Sequence, residues 1–452
     1  MIRVLCICIV SLVLGCASVS PVELSESDVA KTDIEASVAA AEVEPTSEPD
    51  LTGSITWPVV RDLVLSRHAG LRAESLSLSM ADARLSQIEL WPNPELGVEM
   101  ENFGGTSPRN EFRGTETTVT MTQPVPLPGK RAMQRRVAAH DRRLAGWQVS
   151  QAKRAILLEA AQAYWTVLGK QAQVELAHKQ LAASEDLLAV VDKRVQSGKD
   201  SPVEMNKARI VVADQQMRVS QVESQLKRAR VRLAAMWAGP DVFLQVQGEL
   251  ANVPILPEEA ELLDGLQTHP ALNRWTDAIL KAQAQKDLAR KEGYDDWAVM
   301  GGIKRLQEEH ETTGVIGLVI PLPVFNRNQG RRQEAVYRLA QVHALKQDAN
   351  QRLTAALQTQ SIQARTTHKE VVILRDTILP QAKTAYERSL TGYKQGRFDY
   401  LNVLDAQRMW FDQSLRYVET LLTYGVTRAQ VVSLAGLDYD FEARQSEGVH
   451  DE

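Results

Sequence analysis

The sequence predicts a mainly α-helical fold in two tandem repeats, each a pair of short amphipathic strands followed by a very long coiled helical hairpin. Three observations carry this. Four landmarks recur in order about 200 residues apart: His68-Ala69-Gly70-Leu71 with His269-Pro270-Ala271-Leu272, Gln123 to Arg131 with Ile320 to Arg332, the turn at Gly198 with that at Gly396, and Ala238-Gly239 with Ala435-Gly436. Each copy contains period-two segments. Each then runs for about 65 residues with little proline or glycine, the length of a helix near 100 Å.

The strands come first. Leu96, Val98 and Met100 alternate with Glu95, Gly97, Glu99 and Glu101, so one face is apolar and the other acidic. A polar loop from Gly104 to Gly114 leads to a Thr-rich return strand, Thr115 to Gln123. In the second copy Trp297, Val299 and Ile303 mark one strand, a loop carries Glu308 to Glu311, and Ile316, Leu318 and Ile320 line the return. Strands of about nine to eleven residues suffice to cross a membrane obliquely. Four strands cannot close a barrel, and open edges cannot sit in lipid. Either several chains combine or the strands are water-exposed hairpins.

The helices follow. In the second copy Leu339, Val342, Ala349, Leu353, Ala356, Ala364, Val371, Leu374 and Ile378 form a coiled-coil seam interrupted by polar residues. Pro380 removes one hydrogen bond and is expected to kink or divide the run. Glycine turns at Gly198 and Gly396 start return helices of about 35 residues, ending near Trp237 and Leu434.

At 452 residues, with 5% aromatic residues and a formal net charge of -5, the composition suits long helices and gives no sign of nucleic-acid binding. Residues 1–15 read as a secretory signal: Arg3 is the charged region, and Val4 to Leu14 is too short to span a bilayer. All three cysteines lie within the first sixteen residues, so the mature chain has no internal disulfide. Val13-Leu14-Gly15-Cys16 resembles a bacterial lipobox with Cys16 as the acylated residue, and Ala17 after it favours sorting to the outer membrane. Residues 16–55 form an acidic tether with a single lysine, Lys31. The first repeat then spans 56–239, a linker 240–259, the second repeat 260–437 and a polar tail 438–452.

No catalytic constellation is present: there is no phosphate loop, no His-Glu-x-x-His and no Gly-x-Ser-x-Gly, and the eight histidines are scattered. No cofactor is expected. A metal would be cargo.

The repeat architecture resembles the TolC family of outer-membrane efflux ducts from about Trp57 to Leu437. The most specific segments are Gln123 to Arg131, Val319 to Gly330, and Gly392 to Gly396 continuing through Asp399 to Arg408. The wording Pro321-Leu322-Pro323-Val324-Phe325-Asn326-Arg327-Asn328-Gln329-Gly330 is similar to the heavy-metal branch. The resemblance implies a homotrimer with a twelve-strand barrel in outer-membrane lipid and a twelve-helix periplasmic tube. It also implies two partners, a periplasmic adaptor and an inner-membrane pump of the resistance-nodulation-division type.

The resemblance further places a periplasmic gate at the second glycine turn. Asp405 matches a ring aspartate, Asn402 stands where a second would be, and Tyr393 matches a tyrosine that ties helices together with Glu204 as its acidic partner. Phe398 replaces a basic latch residue. Glu95, Glu99 and Glu101 are expected to line the barrel lumen. The expected function is a passive exit duct for divalent heavy-metal cations; the alternatives are a drug or protein duct of the same fold, or a poreless periplasmic coiled-coil adaptor or structural lipoprotein. The asymmetry between the copies marks the second hairpin as the moving part.

Overall fold

The computed structural model describes residues 53–103, 114–239, 243, 245–248, 250–252, 255–437 and 439. The expected signal, Cys16, the tether up to residue 52, the loop over 104–113 and all of the tail except Tyr439 lie outside the described residues. In chain order the elements are β1 (Ser54–Ile55), α1 (Trp57–Arg67), α2 (Ala69–Glu89), β2 (Glu95–Glu101), β3 (Glu116–Val125), α3 (Lys130–Gln196) and α4 (Pro202–Ala234). After them come β4 (Gln245–Val246), α5 (Glu259–Gln267), α6 (Pro270–Lys291), β5 (Trp297–Leu306) and β6 (Glu311–Val319). The chain closes with α7 (Gln329–Ile373), a π turn (Leu374–Ile378), α8 (Leu379–Lys394) and α9 (Tyr400–Leu434). Glu311, expected in the loop, is the first residue of β6.

Two of the recurring landmarks have clear backbone tasks. His68 and His269 cap α2 and α6, their Nδ1 atoms accepting the N–H of Gly70 and Ala271 at 3.1 Å. These bonds satisfy donors that a helix start leaves unpaired. Gly198 and Gly396 adopt positive φ, 72° and 78°, to end the descending helices.

Strands β2-β3-β5-β6 form one antiparallel sheet in that order, and the β3–β5 pairing joins the two repeats. The register sorts the side chains. Glu95, Glu99 and Glu101 share a face with Thr118, Thr120 and Thr122, and with Lys304 of β5. The opposite face carries Leu96, Val98, Met100, Met121, Val299 and Ile303. It is bare in the chain, with Leu96 70% and Val98 64% exposed, so an apolar medium must cover it. The outer edges of β2 and β6 have no strand partner among the described residues.

The helices continue the sheet's order: α2 packs on α3, α3 on α6 and α6 on α7. α7 therefore stands at an edge, as β6 does. The expected seam of the second copy holds, but only its lower part is sealed: the first fully buried residue of α7 is Leu357. Among the described residues no helix is long and apolar enough to cross a membrane.

Midway down the hairpins an apolar belt surrounds Tyr164 and Trp165. Trp57, Val60, Leu168, Leu233 and Trp237 are all at most 5% exposed there, each burial stabilising the fold by roughly 1.5–3 kcal/mol. Gly425 lets α9 approach α3 closely, since a Cβ on it would lie 2.7 Å from Trp165 Cδ2. The tether was expected to run to residue 55, but Ser54 and Ile55 belong to the folded body. They pair in parallel with Gln245 and Val246 of the linker, and the Tyr164 hydroxyl donates to the Gln247 carbonyl at 2.6 Å. Ile55 is buried beneath this pair, which apolar content alone would place in the core.

Candidate functional site

Both hairpins end in the same turn. Lys199 N–H bonds Arg194 O at 2.9 Å and Arg397 N–H bonds Gly392 O at 2.8 Å, while Gly198 and Gly396 bond back to Val195 and Tyr393 at 3.0 and 2.9 Å. These are paired 6→1 and 5→2 closures. α4 is then capped by Ser201, whose hydroxyl accepts from Val203 N–H at 3.2 Å, and α9 by Asp399.

The two tips are tied by a charged cluster. Arg194, at the end of α3, donates from Nε and Nη2 to the two carboxylate oxygens of Asp200 at 2.7 and 3.0 Å. Its Nη1 donates to the Tyr393 carbonyl at 2.9 Å, and its guanidinium lies 4.5 Å from the Tyr393 ring centre. The Tyr393 hydroxyl donates to Asp200 Oδ2. Tyr393 is fully buried among Leu187, Val191, Tyr400, Val403 and Leu404. Each hydrogen bond to the ionised pair is worth about 1.5–3 kcal/mol in such a setting.

Glu204 was expected to be the acidic partner of Tyr393; the partner is Asp200. Glu204 lies in the first turn of α4, and its Oε2 is buried with no hydrogen-bond partner among the described residues. Burial, and then the neighbouring Asp200 charge, push its carboxyl above the usual range. Hydrogen bonding to Arg194 holds Asp200 below that range. Burial and the bond to Asp200 raise the Tyr393 phenol.

Asn402 and Asp405 lie elsewhere. Asn402 serves its own helix: its N–H and its Nδ2 both bond Asp399 Oδ1, at 3.1 and 2.7 Å. Asp405 is exposed, one turn further along, and no partner for its carboxylate is found among the described residues. Phe398 stands where the resemblance puts a basic latch residue and packs over Gly392, where a Cβ would meet its Cδ2 at 2.3 Å. The cation that does reach the second tip is Arg194, on the other hairpin. Aligning the repeats on Gly198 and Gly396 sets Arg194 opposite Gly392 and Asp200 opposite Phe398, a difference of charge between the copies that signals the pair.

At the sheet, Glu95, Glu99 and Glu101 share one face, as their alternation requires. Glu101 is not a free charge: Lys304 Nζ bonds it at 3.1 Å and also pairs with Glu116. Among the described residues no group of three or more His, Cys, Asp or Glu could hold a metal ion.

The comparisons with known proteins agree with this architecture. The profile of the family described as "Outer membrane efflux protein" matches residues 60–239 and 264–437. The chain is 31% identical over 384 residues to the cobalt-zinc-cadmium resistance protein CzcC of Cupriavidus metallidurans, covering 83% of this chain and 89% of that protein. It is 26% identical to the nickel and cobalt resistance protein CnrC of the same organism, covering 60% and 64%. Among solved structures, CusC superposes with a TM-score of 0.72 at 16% identity, covering 84% of this chain and 92% of that one. The outer membrane protein VceC of Vibrio cholerae superposes with a TM-score of 0.70 at 17% identity, covering 85% and 97%. The fold is that of the TolC-like channels, and the chain belongs to the outer membrane efflux protein family.

Proposed function

We propose that this channel is the outer-membrane exit duct of a tripartite system that exports divalent heavy-metal cations. The observation that carries the cargo is the 31% identity to a cobalt-zinc-cadmium resistance protein across 83% of the chain. Three copies complete the duct: the unpaired edges of β2 and β6 meet neighbouring copies, and about twelve strands suffice for a closed barrel in lipid where four do not. Cys16 carries the lipid anchor. A resistance-nodulation-division pump supplies the energy, and a periplasmic adaptor bridges it to the hairpin tips.

The Arg194–Asp200–Tyr393 cluster is the latch that keeps the two tips together in the resting state, and Asp405 presents a carboxylate ring to the passing cation. Glu95 and Glu99 give the barrel lumen its negative face. Deleting the gene and growing cells on graded zinc, cadmium, cobalt, nickel, copper and silver beside a drug panel tests the cargo. Hypersensitivity to metals is expected; hypersensitivity to drugs alone overturns it. For the lumen, Glu95, Glu99 and Glu101 changed together to Gln should lower metal tolerance, and unchanged tolerance removes their role in selection.

A further inference from the structure

The apolar interior of the hairpins is interrupted between the belt and the tips. The belt cluster reaches down to Leu168, Val418 and Leu421, and a separate tip cluster begins at Leu187, Tyr386 and Leu404. Between them buried apolar residues such as Ala177, Val212, Ala382 and Phe411 are interleaved with buried polar ones: Gln180 and Ser184 on α3 are 2% exposed, Gln215 on α4 is 7%, and Gln407 on α9 is 1%. Counted from the turn glycines, Gln180, Gln215 and Ser414 lie at one level, about 27 Å above the tips at helical rise.

From this level down to Gln407, which stands level with Leu187 at the top of the tip cluster, the bonding is loose. Gln180 Nε2 reaches only the Phe411 carbonyl at 3.2 Å, and Gln407 Nε2 reaches Ser184 Oγ at 3.4 Å. The Oε1 atoms of Gln215 and Gln407 are buried with no partner among the described residues. A cavity of about 160 Å³ opens just above, lined in part by Lys170, Gln173, Gln180, Gln225 and Glu419. Packing and hydrogen bonding are both incomplete where a rigid rod would be tightest.

The second hairpin adds a backbone feature at the same height. The π turn Leu374–Ile378 stands at the level of residues 176–180, and Pro380 follows it. Leu379 N–H bonds back five residues to Leu374 O, and the proline ring donates nothing. α3 passes the same level as uninterrupted α-helix. A π turn in a long helix is a local loosening found often at functional sites.

We propose that this level is a hinge. The tip of the second hairpin, α8 with the lower part of α9, swings there as a body against α3 once the latch opens, with the buried amides exchanging partners across this mixed layer. The hinge rests on the reading of the tips as a gate, and it adds where the motion is taken up.

Hydrogen exchange on the full-length assembled channel tests it. Amides of α3 at 173–184 and of α9 at 407–415 should exchange at least about tenfold faster than those at 160–168 and 187–195, although all lie inside long helices. An even profile across these segments overturns the hinge. Gln180→Leu with Gln407→Leu replaces partners by apolar groups of similar size; it should slow exchange at this level and lower the conductance of a Tyr393→Phe channel. If it leaves that conductance unchanged, the hinge is overturned. If Tyr393→Phe alone fails to raise conductance, the gate reading fails, and the exchange profile still decides whether this level is loose.

Discussion

The two hairpins share a length and a turn but differ in how firmly they are held. The first descends as one α-helix of 67 residues, walled above by α2 and α6 and below by α4 and α9. The second descends as 45 residues of α-helix, a five-residue π turn and a further 16 residues, with its upper half facing outward at the edge of the chain. The charges at the tips are divided as unevenly. Arg194 and Asp200 stay with the first hairpin, and the second contributes the uncharged Tyr393, through its hydroxyl, carbonyl and ring. The duplicated unit has therefore become an uninterrupted strut carrying the ion pair and an interrupted strut joined to it through Tyr393. Duplication sets the shape, and divergence at the turn sets how the charges are divided between the copies.

The largest test of this division removes the strut's cation. Arg194→Ala leaves Asp200, whose side chain is 8% exposed, without its cation and with the Tyr393 hydroxyl as its remaining donor. Loss of one partner of a buried pair costs roughly 3–5 kcal/mol. The variant should show a lower thermal midpoint and a raised resting conductance in planar bilayers. A channel as closed as the parent would place the latch elsewhere.

The belt should behave as common ground for both hairpins. Gly425→Ala drives a methyl group into the Trp165 ring, and overpacking of this kind costs roughly 1–3 kcal/mol. Stability should fall with no change in resting conductance. If conductance rose as well, belt and tips would be one mechanical unit and the contrast between struts would weaken.

Tyr393→Phe removes only the second hairpin's hydroxyl and leaves Arg194 paired with Asp200. The expected loss is about 1–3 kcal/mol at the tip, with conductance raised but less than in Arg194→Ala. Equal effects would mean that the ion pair itself bridges the hairpins.

How far the sequence revealed this follows from the reach of each interaction. Strand alternation and helix length are local, so the sheet faces and both hairpins were readable from Glu95 to Met100 and from the long proline-poor runs. The tips were readable as turns but not as bonds. Tyr393 was singled out, yet its partner was assigned to Glu204, because a one-dimensional match does not record that the αL turn at Gly198 brings Asp200 inward while Glu204 is committed to the first turn of α4. Asn402 likewise looked like a ring position, and its side chain turns back to cap α9 through Asp399. The strand formed by Ser54 and Ile55 was invisible because two residues carry no period.

Acid should act on the two tip carboxylates in opposite senses. Asp200 is held below the ordinary range, so its contribution is present above the usual aspartate pKa and is lost only as pH falls through its lowered value. Glu204 titrates above its usual 4.5, so its ionised form penalises the folded tip, and protonation relieves the penalty as pH falls from neutral toward 4.5. Mild acid should therefore raise the thermal midpoint of the parent relative to Glu204→Gln and lower its resting conductance. A parent and a Gln variant that track each other from neutral pH down to 4.5 would take Glu204 out of the latch.

The smallest effect is expected where the second hairpin faces solvent. Asn402→Asp adds a charge one turn from Asp405 on the exposed face of α9, in the first turn of the helix, where the macrodipole favours an anion by about 0.3–1 kcal/mol. It also faces Asp399, whose carboxylate now accepts two bonds from Asn402 and would lose the one from Nδ2. The two terms nearly cancel, so stability should move by less than about 0.5 kcal/mol. The exposed charges act over only about 8 Å at physiological salt, so any gain in cation over anion permeability should appear at low ionic strength and fade as salt is raised. A gain that survives high salt would show that the second hairpin closes around a narrow, desolvated ring, and Asp405 would then carry more of the selection than an exposed carboxylate can.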